Sequence, residues 1–328
     1  MHLGAPTTWC FLTARHQRLK ILDFSFWALL VMKMLTSAAI VVGASLVVER
    51  SGPFLGAMIV TLPISAGPAY VFLALDHGSG FIAASALAGL PVSAATVIYM
   101  VVYAALAQRF RVLPSVGSAL GVWVIAIAAI LKWQWSLGSA LALNMAVYAL
   151  AIPLTRKFSI AAVPVAPKKR AWDVPFRAAL VMTVVGVTLV VGRTLGPSIA
   201  AAAALAPVVL ISVALILQPR MGGTAAASVV ANGVPGMLGF VGALSLLHLC
   251  AVRLGAPVAL ILALAVSIGW NASLIAVRRW RLGGEPGFDH PDFRLSAYWK
   301  AAHRCPYWVF LKRSFCSRGC ERQYCFGA

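Results

Sequence analysis

Between residues 26 and 277 the chain reads as long, continuous apolar runs parted by brief polar or Gly/Pro-marked breaks, with none of the short alternating segments of a membrane barrel. The runs fall at 26–48, 54–75, 81–107, 115–131, 136–154, 178–192, 197–218, 224–252 and 256–277. Most approach the roughly 20 apolar residues that cross a bilayer as a helix. The pattern therefore predicts an all-α, polytopic helical membrane protein with about nine transmembrane helices. The least marked division is Lys132-Trp133-Gln134-Trp135, where a lysine and two indoles suit an interfacial turn. The first run is longer than the apolar region of a signal peptide and has no cleavage-like polar stretch behind it, so it is read as an uncleaved span.

Proline and glycine divide the runs into two similar halves. Gly52-Pro53, with Pro63 ten residues after Pro53, recurs as Gly196-Pro197 with Pro207, a shift of 144 residues. The same shift pairs Gly78 with Gly222, Gly89 with Gly233, Pro91 with Pro235 and Arg109 with Arg253. Alanine or valine coincidences mean little in an apolar chain. Proline and glycine set backbone geometry, so their coincidence predicts one structural unit used twice. The expected organisation is an N-terminal segment 1–25, membrane repeat 1 plus an extra helix over 26–154, a basic cytoplasmic linker 155–177, membrane repeat 2 over 178–277, and a basic, Cys-containing, disordered tail 278–328.

Charge fixes an orientation. The linker holds Arg156, Lys157, Lys168, Lys169, Arg170 and Arg177 against Asp173 alone, which places it in the cytoplasm by the positive-inside rule. Five predicted spans precede it, so the two repeats enter the membrane in opposite directions, the inverted arrangement found in many secondary transporters. Lys33 lies inside the first run and corresponds to Arg177 under the shift; it reads as a snorkelling boundary residue, with a counter-ion role as the alternative.

With 61% hydrophobic residues and a mean hydropathy of +0.91, a soluble globule is excluded. The formal charge of +19 gathers in the tail, the first residues and short connections, so topology explains it and nucleic acid is not an expected partner. Five of the six cysteines, Cys10, Cys305, Cys316, Cys320 and Cys325, lie outside the spans. Their spacing matches no zinc or disulfide signature, and no metal or cofactor is expected.

The best candidates for a site are the two Pro-interrupted segments. An intrahelical proline leaves a carbonyl one turn back without its amide, and in a bilayer that carbonyl must find another donor or a ligand. The expected substrate-binding residues are Thr61, Pro63, Ser65, Pro207 and Asn232. Leu205 and Val209 stand where Thr61 and Ser65 stood, so any polar site is asymmetric. Gly52, Pro53, Gly89, Pro91, Gly196, Pro197, Gly233 and Pro235 are read as structural. The competing reading is that the prolines only kink and pack tilted helices. Asn144, Asn271 and His248 are single polar groups with the same two readings. Between 26 and 277 the acids are Glu49, Asp76 and Asp173, all at span ends or in the linker. Coupling through a carboxylate at mid-membrane is therefore not expected. No catalytic residues are identified. The adjacent Asp76 and His77 form the one acid–base couple worth testing, with turn capping as the plainer reading.

The stretch FLGAMIVTLPISAGPAYVFLALDHGSGFIAASALAGLPVSAATVIYMVVYAAL resembles the GlpM-like small inner-membrane proteins: a Pro-interrupted span, a short polar turn, then a long span ending in the aromatics Tyr99 and Tyr103. The second half departs from this, with Ala243 and Leu247 at the tyrosine positions. The resemblance implies a bacterial inner (plasma) membrane location and carries over no functional residues. The expected function is an integral inner-membrane transporter or permease-like protein whose partners are membrane lipids and a small-molecule or ion substrate, with an oligomer left open. The alternative is a non-transporting membrane protein that assists envelope biogenesis or scaffolds a partner. A lipid-modifying enzyme comes third.

Overall fold

A computed structural model describes residues 24–50, 66–158 and 172–281, and every regular element among them is an α-helix. In chain order these are α1 (Phe24–Arg50), α2 (Ala66–Asp76), α3 (Ser79–Leu106), α4 (Val112–Ile130), α5 (Leu137–Arg156), α6 (Asp173–Leu195), α7 (Pro197–Ala204), α8 (Val208–Met221), α9 (Gly223–Leu254) and α10 (Ala256–Arg281). Residues 1–274 form the main unit. The short unit that follows contributes, among the described residues, only Ile275–Arg281 at the end of α10.

Seven described stretches are long and apolar enough to cross a membrane: α3, α4, α5, α6, the combined α7–α8 segment Pro197–Met221, α9, and α10 as far as Val277. The helix ends follow the residues that predicted them. Ser136 caps α5 through a reciprocal pair with Ser139, and the Trp135 indole donates to the Ile130 carbonyl at 3.0 Å, closing the α4–α5 turn. Residues 115–154 thus make two helices, not one crossing. Gly196, with φ of 87°, ends α6, and Pro197 starts α7 at the position where a missing N–H costs nothing.

The shift of 144 residues survives in three dimensions. It carries α1 onto α6, α2 onto α8, α3 onto α9 and α4 onto α10 within a few residues at each end, leaving α5 as the extra helix. The two most extensive contacts in the molecule join each of two helices to its own counterpart, α3 to α9 and α1 to α6. The contacts recur symmetrically, as an internal repeat requires.

The α3–α9 pair runs antiparallel. A Cβ on Gly223, at the start of α9, would run into the Ala107 carbonyl just beyond the end of α3, so only glycine permits this crossing. Further along, a Cβ on Gly89 would stand 3.3 Å from Leu244, and His248 bonds the Ala83 carbonyl at 2.9 Å. The turns before Pro91 therefore lie against the stretch beyond Pro235. Leu90, Val97 and Val234 are fully buried along these helices, in a core that continues through Ala86, Tyr99, Tyr103 and Leu244.

Candidate functional site

The break in the α7–α8 segment is built by local sequence. Five consecutive alanines, Ala200–Ala204, give α7 a small, strongly helical surface that packs against α3 and α6. Pro207 then supplies no N–H. The Ala203 carbonyl takes the Ala206 amide at 3.3 Å instead, the Leu205 amide returns to Ala201 at 3.0 Å, and the Val208 amide takes the Ala206 carbonyl at 2.7 Å. The helix resumes at Val208 with Pro207 buried at its cap. Pro207 lies ten residues from Pro197, about 15 Å along a helix and so near the middle of a bilayer-length segment.

The remaining predicted positions divide. Gly52, Pro53, Thr61, Pro63 and Ser65 fall outside the described residues, as do the 159–171 part of the linker and the tail cysteines. Asn232 turns back on its own helix, donating to the Ser228 carbonyl at 2.9 Å. Gly89 is a close-approach residue, with the Tyr70 hydroxyl 3.0 Å from where its Cβ would stand. Gly233 is buried, and Gly196 and Pro197 form the turn into α7.

Around the two intrahelical prolines, side chains of neighbouring helices bond backbone carbonyls beside the break. Near Pro91, the Asn144 amide donates to the Leu90 carbonyl at 2.9 Å and to Ala140 at 2.8 Å, while the Ser93 hydroxyl donates to its oxygen at 3.1 Å. Trp123 donates to Thr96 at 3.3 Å beside them. Near Pro235, the Trp270 indole donates to the Pro235 carbonyl itself at 2.9 Å. The two repeats make these ties with different residues: the extra helix α5 brings Asn144 to one proline and α10 brings Trp270 to the other. Each such interhelical bond adds about 0.6 kcal/mol in a membrane.

The charged residues assemble at the two ends of α6. At its C-terminal end the Asp76 carboxylate is shared by Lys33 on α1 and by Arg193 on α6, the latter at 3.2 Å. Lys33 also lies 5.9 Å above the Phe72 ring. Lys33 is therefore ion-paired, where snorkelling was the leading expectation; its side chain is 14% exposed. At the N-terminal end Asp173 holds Arg220 on α8 through two bonds of 2.6 and 2.7 Å. Asp173 and Arg193 are twenty residues apart on one helix, about 30 Å, so the clusters stand at opposite faces of a bilayer. The shift of 144 carries Asp76 onto Arg220 and Lys33 onto Arg177, which lies one turn beyond Asp173. Each repeat thus places an ion pair at the equivalent end, with the signs exchanged between the helices. His77 stacks on Phe81, with ring centroids 4.0 Å apart, and contacts the Leu73 carbonyl. The acid–base couple of Asp76 and His77 is overturned, because their side chains engage different neighbours.

An open cleft of about 510 Å³ lies where α3, α4, α8 and α9 end, lined by Gln108, Arg109, Arg111, Gln218, Pro219 and Gly223 among others. It is separate from the Pro207 break. Among the described residues, no three of His, Cys, Asp or Glu come together to share a metal ion. No protein-family model, curated protein or solved structure matches the chain.

Proposed function

We propose that the protein is an inner-membrane transporter or permease-like protein of nine spans in two inverted repeats, with its substrate site at the Pro63 and Pro207 segments. The observation that carries this reading is the helix break at Pro207, near mid-membrane in a segment packed against the central pair. Counting α1 and the 54–76 segment with the seven longer stretches gives nine spans. The antiparallel course of α3 and α9, equivalent helices under the shift, supports the inversion. Thr61 and Ser65 would supply hydroxyls on one side of the site, Pro207 the freed backbone on the other, and Asn232 an amide at its margin. The cytoplasmic linker puts the Asp173–Arg220 pair inside and the Lys33–Asp76–Arg193 cluster outside. Alternating access needs each face to close in turn, and these ion pairs are the groups that would break and re-form. The bacterial location rests on the GlpM-like resemblance.

A second reading, a scaffold or envelope-assembly role, is favoured by the tightly packed α3–α9 centre, where Leu90, Val97 and Val234 are fully buried, and by the α3–α5 contact, where Ser93 donates to Asn144 and Asn144 to the Leu90 carbonyl. Accessibility separates the two. A cysteine at Ala206, in protein otherwise free of cysteine, is expected to react with a membrane-impermeant thiol reagent from one side of sealed vesicles. Breaking the ion pair at the closed face should move that reactivity toward the other side. Failure to react from either side, in protein that reacts once unfolded, would leave the scaffold reading standing.

A further inference from the structure

The cleft at the ends of α3, α4, α8 and α9 has a chemistry that neither the fold nor the transport reading requires. Its polar lining consists of Gln108, Arg109, Arg111 and Gln218, with no carboxylate among its lining residues. Its floor is fixed: Tyr103 donates to the Gln218 oxygen at 3.1 Å, and the Gln218 amide donates to the Phe110 carbonyl at 2.9 Å, tying the α3–α4 turn to α8. Val112 and Gly223, at the first turns of α4 and α9, also line it, and neither helix has a side-chain cap. The first turn of a helix carries amides without intrahelical partners and a positive dipole end. Beside the arginines, Phe110 and Leu113 are 53% and 73% exposed, an apolar rim next to a cationic pocket.

The internal repeat provides a control. The residues equivalent to Gln108, Phe110, Arg111 and Gln218 are Val252, Leu254, Gly255 and Ala74, and Leu247 stands for Tyr103. There the helix runs four residues further by the shift, to Leu254, and turns tightly at Gly255 with φ of 82°. Arg111 occupies the matching position with an extended φ of −67°, at the end of a looser turn. The other repeat thus makes the equivalent turn without any of these residues except the arginine pair Arg109 and Arg253. The glutamine–tyrosine floor and the second arginine are additions at one end, where Gln218 and Arg111 line the cleft.

We infer that this cleft is a binding site for a phosphate oxyanion, supplied by the headgroup of an anionic phospholipid. The guanidinium forks and backbone amides are the donors that recognise phosphate. The apolar rim at the level where four helices end suits the first methylenes of an acyl chain, which a free anion lacks. The inference does not depend on transport.

The test is thermal unfolding of the full-length protein in neutral detergent, followed by tryptophan fluorescence and titrated with phosphatidylglycerol, phosphatidylcholine or inorganic phosphate. Phosphatidylglycerol should raise the midpoint saturably and phosphatidylcholine should not. The variant Q108V/R111G, which copies the other repeat, should bind phosphatidylglycerol about fivefold more weakly, the loss expected for one arginine at a charged membrane surface. Arg109→Gln, a single exposed substitution, should do the same if the double variant does not fold. Lys132→Gln, at the α4–α5 turn, should leave the titration unchanged. Equal shifts from both lipids, or an unchanged affinity in both cleft variants, would overturn the site. A shift reached with inorganic phosphate alone, and not increased by the lipid, would overturn the lipid as its occupant.

Discussion

The two ends of α6 hold ion pairs of different construction. At the Asp173 end the carboxylate meets the Arg220 guanidinium through two short bonds of fixed geometry. At the Arg193 end the Asp76 carboxylate serves two cations from two helices. Two cations around one 11%-exposed carboxylate form the less balanced arrangement, because removing that acid leaves both cations facing each other. If the ends act as gates, the shared carboxylate is the one with an alternative partner available as helices move.

The largest effect should therefore come from Asp76→Asn. It removes the carboxylate that Lys33 and Arg193 share and should cost about 2 kcal/mol, between the values for exposed and for buried broken pairs. Thermal melts in detergent would show a midpoint several degrees lower, and a melt identical to the parent would mean the cluster has no structural weight. Asp173→Asn should lower the midpoint by less, since the pair it breaks joins two helices and the Asp76 cluster joins three. Exchanging the charges sharpens the contrast. D173R/R220D should recover most of the stability lost by Asp173→Asn, because a two-pronged carboxylate–guanidinium pair works in either sense. K33D/D76K should not recover that lost by Asp76→Asn, because a lysine at 76 would face Arg193. Recovery in both exchanges, measured by the same melts, would mean that Arg193 takes no part in the cluster.

Much of the fold is legible in the sequence because proline, glycine and the length of apolar runs act locally. The predicted limits of the spans at 81–107, 136–154 and 256–277 lie close to α3, α5 and α10, and Pro207 marks a real helix break. The site is less legible, since its contacts join distant segments. Lys33 meets Asp76 across 43 residues, Asn144 reaches Leu90 across 54, and Tyr103 reaches Gln218 across 115. One signal was present for the ion pairs: carried through the charged residues, the shift of 144 pairs Asp76 with Arg220 and Glu49 with Arg193, opposite signs in each case. Nothing local distinguishes Gln218 from an ordinary residue at a helix end. Its value comes from the Phe110 carbonyl that folding brings beside it.

The smallest expected effect is that of Arg193→Gln, and it is the most informative about gating. Arg193 is 38% exposed and sits 3.2 Å from Asp76, so its part of the cluster is screened and should contribute at most about 1 kcal/mol. Lys33 still holds the carboxylate in this variant, so the melt should barely move. The gating comparison predicts a different readout. Removing the α6 cation loosens the tie between α6 and α2 at the outer end while leaving α1 and α2 joined, and the bidentate pair at the inner end is untouched. Reactivity of a cysteine at Ala206 toward a reagent on the outer face should rise without any loss of stability. If the melt and the reactivity both stay at parental values, the ion pairs at the two ends only hold helices together. If reactivity rises from the inner face instead, the orientation drawn from the basic linker is reversed.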